Sequence, residues 1–151
     1  MSGNLVGIAR ARELGSPLEE LPAASVSTGS GIEGDARGRK ALRQVTVLFR
    51  DGWEDACRDL GAELPWITRR ANLLIANLER PRAAGGRLRI GKIELEITME
   101  TQPCHLMDRA QDGLRLALKP DWRGGVCCRV IKGGDIALGD AVEYIPRSPA
   151  G

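Results

Sequence analysis

Turn residues interrupt this chain so often that no long regular element can form. Glycine occurs 19 times and proline 8 times in 151 residues, spread over the whole length. The periodic stretches between them are short, which suits strands and not the long amphipathic runs of a helical bundle. The clearest stretch is Ile93–Met99, where Ile93, Leu95, Ile97 and Met99 alternate with Glu94, Glu96 and Thr98. Strict alternation places one set of side chains on an apolar face and the other in water.

Read in order, the strands are expected at Leu5–Ala9, around Val26, at Gln44–Phe49, Leu73–Ala76, Arg87–Ile90, Ile93–Met99 and Val126–Ile131. A last one is expected to end near Tyr144, and Gly91-Lys92 and Gly133-Gly134 read as turns. Asp51–Leu60 is the best helix: Trp53, Ala56, Cys57 and Leu60 share one face, Asp51 and Glu54 have capping-box spacing, and Gly61 can end it. Gln111–Leu118 reads as a second, short helix. The expected fold class is therefore mainly β, a barrel of roughly seven to nine short mixed strands with one or two helices, since closure removes exposed strand edges. One domain over residues 1–151 is expected, with a loose tail from about Pro146.

Charge excludes some partners. A net charge of +2 with acids and bases interspersed is no footprint for nucleic acid, and there is no basic block interleaved with aromatics. No segment has the length and apolarity of a membrane span, so no membrane partner is expected. The N-terminus lacks the charged start and apolar run of a signal peptide. The expected compartment is the cytoplasm, where the four cysteines stay reduced.

Cys57 lies on the apolar stripe of the expected helix and reads as a small core hydrophobe. Cys127 and Cys128 are neighbours in a strand, so they point to opposite faces and cannot grip one metal together. There is no C-x-x-C pair and one histidine, so a zinc site would require Cys104, His105 and a later cysteine to converge without help from spacing. Cys104 differs from the other three. It follows Pro103, which fixes the backbone, and it falls in an expected loop after the alternating strand. A reactive sulfur needs such a rigid mount, exposure and nearby positive charge. His105 is adjacent, but reads as an exposed surface residue.

Two further features bear on a ligand. The glycine-rich stretch Ser27–Gly38 could present backbone amides to an anion, although it matches no phosphate-loop motif. Arginines precede several strands: Arg43, Arg69-Arg70 and Arg123. If these strand starts meet at one barrel mouth, the guanidinium groups would form a pocket for a small anionic ligand.

These pieces, in this order, resemble the MOSC domain, named for the C-terminal domain of molybdenum-cofactor sulfurases. The matching stretches are Gly31–Asp35, Arg43–Val47, Arg70–Leu73, Leu88–Gly91, Pro103-Cys104, Arg123–Val126 with Arg129-Val130, and Gly134–Asp140. The resemblance implies a β-barrel. It also implies that Cys104 acts as a persulfide-bearing sulfur carrier or as the thiolate that ligates molybdenum. It implies that an Arg-x-Asn motif, here Arg70 and Asn72, helps to hold the phosphate region of the molybdenum cofactor; Arg123, from the arginines before strands, is a further candidate anion ligand. A link to pyridoxal phosphate is a weaker implication. Relatives with this domain reduce N-hydroxylated compounds with electrons from a partner, so the implied partners are a sulfur donor or an electron-transfer protein. The cofactor-binding reductases carry an additional N-terminal domain that this chain is too short to include, and Gln102 is larger than the polar residue they place there. A non-catalytic binding or interaction module on the same barrel, or a small thiol or zinc enzyme, are the rival readings.

Overall fold

A computed structural model describes residues 2–148. Eleven strands and three short helices follow one another: β1 (Ser2–Arg10), β2 (Glu19–Glu20), β3 (Ala23–Ser27), β4 (Gly31–Ile32), β5 (Val45–Phe49), α1 (Arg50–Leu60), β6 (Leu73–Ala76), β7 (Arg87–Ile90), β8 (Ile93–Glu100), α2 (His105–Ala110), α3 (Leu114–Leu118), β9 (Val126–Lys132), β10 (Gly134–Ala137) and β11 (Ala141–Ile145). The main sheet runs β11-β7-β8-β9-β5-β6-β1-β2, and β11 also pairs with β1. Seven strands therefore close into a mixed barrel, with β2 appended to β1. Only β5 and β6 pair in parallel, with Val47 opposite Leu73, and α1 makes the crossover between them. The remainder of the tail expected after Pro146, from residue 149 on, lies outside the described residues.

Alternation builds the barrel interior. Leu88 and Ile90 on β7, Ile93, Leu95 and Ile97 on β8, and Val45, Val47 and Phe49 on β5 share one buried cluster. Met99, expected on the same face, is only half-buried. The cause is a register shift against β9 between Ile97 and Met99, which breaks the period of two. A second sheet of order β10-β3-β4 adds Val26, Ile32 and Ile136 to the same cluster. The glycine-rich stretch is thus folded in part as β4, and not as a free loop.

The helices cover the outer face of β5 and β6. Leu48 and Leu74 point outward and pack with Trp53, Ala56, Met107, Leu114 and Leu118. Gly61 ends α1 in the left-handed region and donates its N–H to the carbonyls of Cys57 and Arg58, as expected. The capping box does not form. The helix starts at Arg50, with Phe49 as an N-cap that offers no side-chain bond, and Asp51 accepts the backbone N–H of Arg80 instead. The second short helix is confined to Leu114–Leu118, and α2 was not anticipated at all: it buries Met107 alone, too little for a periodic signal.

One buried cation ties these layers together. Arg80 donates to the carboxylates of Asp55 and Asp121 and to the Asp121 carbonyl, so it joins α1 to the turn before β9. Bonds from Arg82 and Arg80 hold the Asp121 carboxyl below the usual carboxylate range. Burial pushes the Asp55 carboxyl up, but bonds from Arg58 and Arg80 outweigh it and leave it lowered. Both groups titrate lower folded than unfolded, so their contribution is complete above the unfolded value of about 4 and is lost as pH falls through the folded values. Denaturant midpoints should therefore fall between about pH 5 and about pH 3, and replacing Arg58, Arg80 and Arg82 together by methionine should flatten that dependence. An equally steep fall in the variant would place the acid sensitivity elsewhere.

Candidate functional site

A cavity of about 440 Å³ opens where β5 and β6 begin and β8 ends. Six cations line it: Arg37, Arg39, Lys40, Arg43, Arg69 and Arg70. No carboxylate is among its lining residues. Thr46, Asn72, Thr101, Gln102, Cys104 and Gly124 supply the polar remainder, and Leu14, Leu106 and Met107 the apolar walls. Among the described residues, only Arg37 of the six cations forms an ion pair, with Asp35.

Arg69 and Arg70 are set apart by the backbone. Trp66–Arg69 forms a single 3-10 turn, and Arg70 follows at φ 64°, in the left-handed region that non-glycine residues seldom adopt. The two neighbouring guanidinium groups take different backbone partners. Arg69 donates from Nε to the Gly124 carbonyl at 3.1 Å and from Nη2 to the Thr101 carbonyl at 3.0 Å. Arg70 donates to the Ser16 carbonyl at 2.8 Å. Arg69 is 7% exposed, and burial pulls its affinity for a proton down, opposed by the nearby Cys104 and Cys127 sulfurs. Burial also lowers Arg70, followed by the like charge of Arg37. A buried guanidinium bonded only to carbonyls keeps its positive charge uncompensated.

Asn72 lines the cavity but is heavily engaged by the frame. Its Oδ1 accepts from the backbone N–H of Thr46 at 3.0 Å and from the Thr46 hydroxyl, and its Nδ2 donates to the Ala9 carbonyl. It therefore holds β1, β5 and the start of β6 in register, with one amide hydrogen left for a ligand.

Cys104 is exposed and sits at the cavity rim, just ahead of α2. The other thiols are more enclosed. Burial pushes Cys128 well up, and Cys57 up as well. Cys128 packs inside the barrel, while Cys127 faces the other way, as expected of neighbours in a strand, and lies 3.3 Å from the Thr101 hydroxyl. His105 is exposed and does not line the cavity. Among the described residues no group of three or more His, Cys, Asp or Glu side chains is placed to hold a metal ion.

Cys104, Arg43, Arg69, Arg70 and Asn72 thus meet in one place, and Arg123 does not join them. Its guanidinium is committed to the Asp59 carboxylate at 2.7 Å and the Ala117 carbonyl at 3.0 Å, so it braces α3 against α1. The backbone after it reaches the cavity instead, through Gly124. The glycine-rich stretch contributes Arg37, and Arg39 and Lys40 follow directly after it, where backbone amides had been expected to matter. Its anchor is Asp35, whose buried carboxylate accepts from the Ala11 N–H and from Arg37 Nε and Nη2. Sequence reasoning singled out Arg70 as the cofactor ligand, left Arg69 as one of several arginines before strands, and missed that Arg69 is the one nearly fully buried.

A closed mixed barrel with a thiol at a cationic mouth defines the class. The family model described as MOSC domain matches residues 36–143, and the chain belongs to that family. The fold is similar to that of the YuaD protein from Bacillus subtilis, with a TM-score of 0.84 at 16% identity over 97% of this chain and 98% of that one. It is also similar to YiiM from Escherichia coli, with a TM-score of 0.71 at 15% identity over 98% of this chain and 71% of that one. YiiM from Geobacillus stearothermophilus matches with a TM-score of 0.69 at 15% identity over 97% and 75%. No curated protein matches the chain in sequence. No helix among the described residues is long and apolar enough to cross a membrane.

Proposed function

We propose that this MOSC domain binds an anionic cofactor, the molybdenum cofactor, in its cationic cavity and that Cys104 is the thiolate that meets the metal. The observation that carries this reading is Arg69, a buried guanidinium with no carboxylate partner among the described residues, at the wall of a cavity whose rim bears the one exposed thiol. Such a charge calls for an anion. The volume, about 440 Å³, is in the range of small-molecule sites. An interaction module with a filled barrel mouth would instead bury Cys104 among apolar side chains.

The donor set fits the cofactor. Arg69 and Arg70 would hold its phosphate group with charge-assisted bonds, and the free amide hydrogen of Asn72 would add a third donor. Molybdenum is soft enough to favour the sulfur of Cys104. When bound, the cofactor supplies a metal that changes oxidation state during reduction of an N-hydroxylated compound, with electrons from a partner protein. The protein's own part is to bind, to orient and to supply the thiolate.

The exposure of Cys104 also favours a second reading, sulfur carriage. There the Cys104 thiolate attacks the outer sulfur of a donor persulfide, forming a new S–S bond and releasing the donor thiolate. Both readings require Cys104 to be the accessible sulfur. Alkylation of the native protein should modify Cys104 well before Cys57, Cys127 or Cys128, by peptide mass spectrometry; a Cys104 that reacts last would remove both. Reconstitution with the cofactor, followed by metal analysis, should give molybdenum in the wild type and little in Cys104→Ala. Absence of molybdenum in both, with one added sulfur on Cys104 after incubation with a persulfide donor, would leave only the carrier.

A further inference from the structure

Two residues of the cavity have no part in binding an anion. Among the described residues five large apolar side chains are exposed: Leu14, Leu42, Leu106, Leu116 and Leu138. Leu14 and Leu106 both line the cavity that carries Cys104 at its rim, although Leu14 is 77% exposed and Leu106 43%. A single leucine in water needs no explanation. Two of them, from separate elements and beside the one exposed thiol, leave apolar surface in water at a cavity mouth, where a ligand can cover it.

The backbone holds both in place. Leu14 sits in a turn that Glu13 and Ser16 close: the Glu13 carbonyl accepts the Ser16 N–H at 3.1 Å and the Ser16 hydroxyl at 2.8 Å. Arg70 ties that turn to the cavity through the Ser16 carbonyl. Leu106 lies in the first turn of α2, two residues beyond Cys104. The next residue, Met107, is buried beneath the helix, and its N–H bonds the Cys104 carbonyl at 3.0 Å. Met107 thus fixes α2 to the core and leaves Leu106 at the mouth.

Resting on the reading of Cys104 as the working sulfur of this cavity, we infer that Leu14 and Leu106 select the molecule that reacts there, and that this molecule has an apolar body. The two leucines meet the part of the substrate that neither the anion donors nor the thiol touch. Covering them removes apolar surface from water on both sides of the contact, so preference should grow with the apolar size of the substrate and not with its polarity.

Modification rates of Cys104 test this without any cofactor. The full chain is treated with N-methylmaleimide, N-cyclohexylmaleimide or N-(2-hydroxyethyl)maleimide, and addition to Cys104 is followed by peptide mass spectrometry. The three reagents react alike: the thiolate adds to the C=C bond, one C–S bond forms, and water protonates the neighbouring carbon. Dividing each rate by that of the same reagent with glutathione removes intrinsic reactivity. The cyclohexyl reagent should then be at least about fivefold faster than the methyl reagent, and the hydroxyethyl reagent should gain nothing. Leu14→Ser and Leu106→Ser should each lose part of that preference, and together they should abolish it. Leu116→Ser, at an exposed leucine outside the cavity, should keep it. No cyclohexyl preference in the wild type, an unchanged preference in the double variant, or an equal loss in Leu116→Ser would each overturn the inference. Its failure differs from that of the cofactor reading. Size preference at Cys104 without molybdenum uptake removes the cofactor and keeps the apolar mouth. Molybdenum uptake without size preference does the reverse.

Discussion

Gly125→Ala is expected to cost this protein about 2–6 kcal/mol, a large share of the stability of an ordinary domain. Two separate causes add. Gly125 has φ +92°, which an L-residue adopts only under strain, worth about 1–3 kcal/mol. A Cβ there would also fall within the radius of the Val47 carbonyl oxygen, which belongs to the β5 backbone and cannot swing away. Relieving that overlap means separating β9 from β5 at the pair Val47–Val126, at a further cost of about 1–3 kcal/mol. The Gly125 carbonyl also accepts the N–H of Thr101, whose own carbonyl holds Arg69, so the displacement reaches the cavity. The melting temperature should fall by roughly 10 °C or more. Gly15→Ala separates the two causes. Gly15 has φ +79° but nothing within 4 Å of an added Cβ, so it should show the conformational cost alone. Equal effects at the two sites would rule out the close approach of β9 to β5 as the reason for the glycine.

The contrast between these glycines shows what a sequence can disclose. Alternation along Ile93–Ile97 and Val45–Phe49 gave away the barrel, because the period of two is written in consecutive residues and the structure preserves it. Gly61 was equally legible, because a helix stop is local. Long-range features were not. The edge of β4 spans two residues, Gly31–Ile32, and takes its pairing from β3 and its burial from the barrel. Asp51 had the right spacing for a capping box, but the Arg80 N–H, distant in sequence, won its carboxylate. The site divides in the same way. Cys104 stood out through Pro103 and the strand before it. Arg43, Arg69 and Arg123 looked alike as residues before strands, and nothing local separates them. Arg123 is drawn to Asp59, whereas Arg69 is enclosed by Thr101 and Gly124, which approach from elsewhere in the chain.

The enclosure of Arg69 leads to the second large effect. Arg69→Met should abolish most anion binding while leaving the fold close to wild-type stability. A buried arginine that serves a structural ion pair behaves otherwise: removing it strands a carboxylate and costs about 3–5 kcal/mol. Arg69 strands no carboxylate. Its loss frees two carbonyl acceptors, each worth about 1–3 kcal/mol when left unpaired. Against that, methionine removes the desolvation penalty of a buried cation, which is several kcal/mol, and refills the volume with apolar atoms. The terms are of similar size and opposite sign. For binding there is no such cancellation, because the charge that would meet the anion is gone, and with inorganic pyrophosphate as the probe, affinity should fall about tenfold or more. Arg69→Lys sharpens the reading. It keeps the charge but not the planar fork that reaches Gly124 and Thr101 together, so it should recover part of the affinity with lower stability than the methionine variant. A methionine variant that melts far below the wild type yet binds pyrophosphate unchanged would make Arg69 a brace between β8 and β9, and would remove the charge on which the function proposed for this cavity rests.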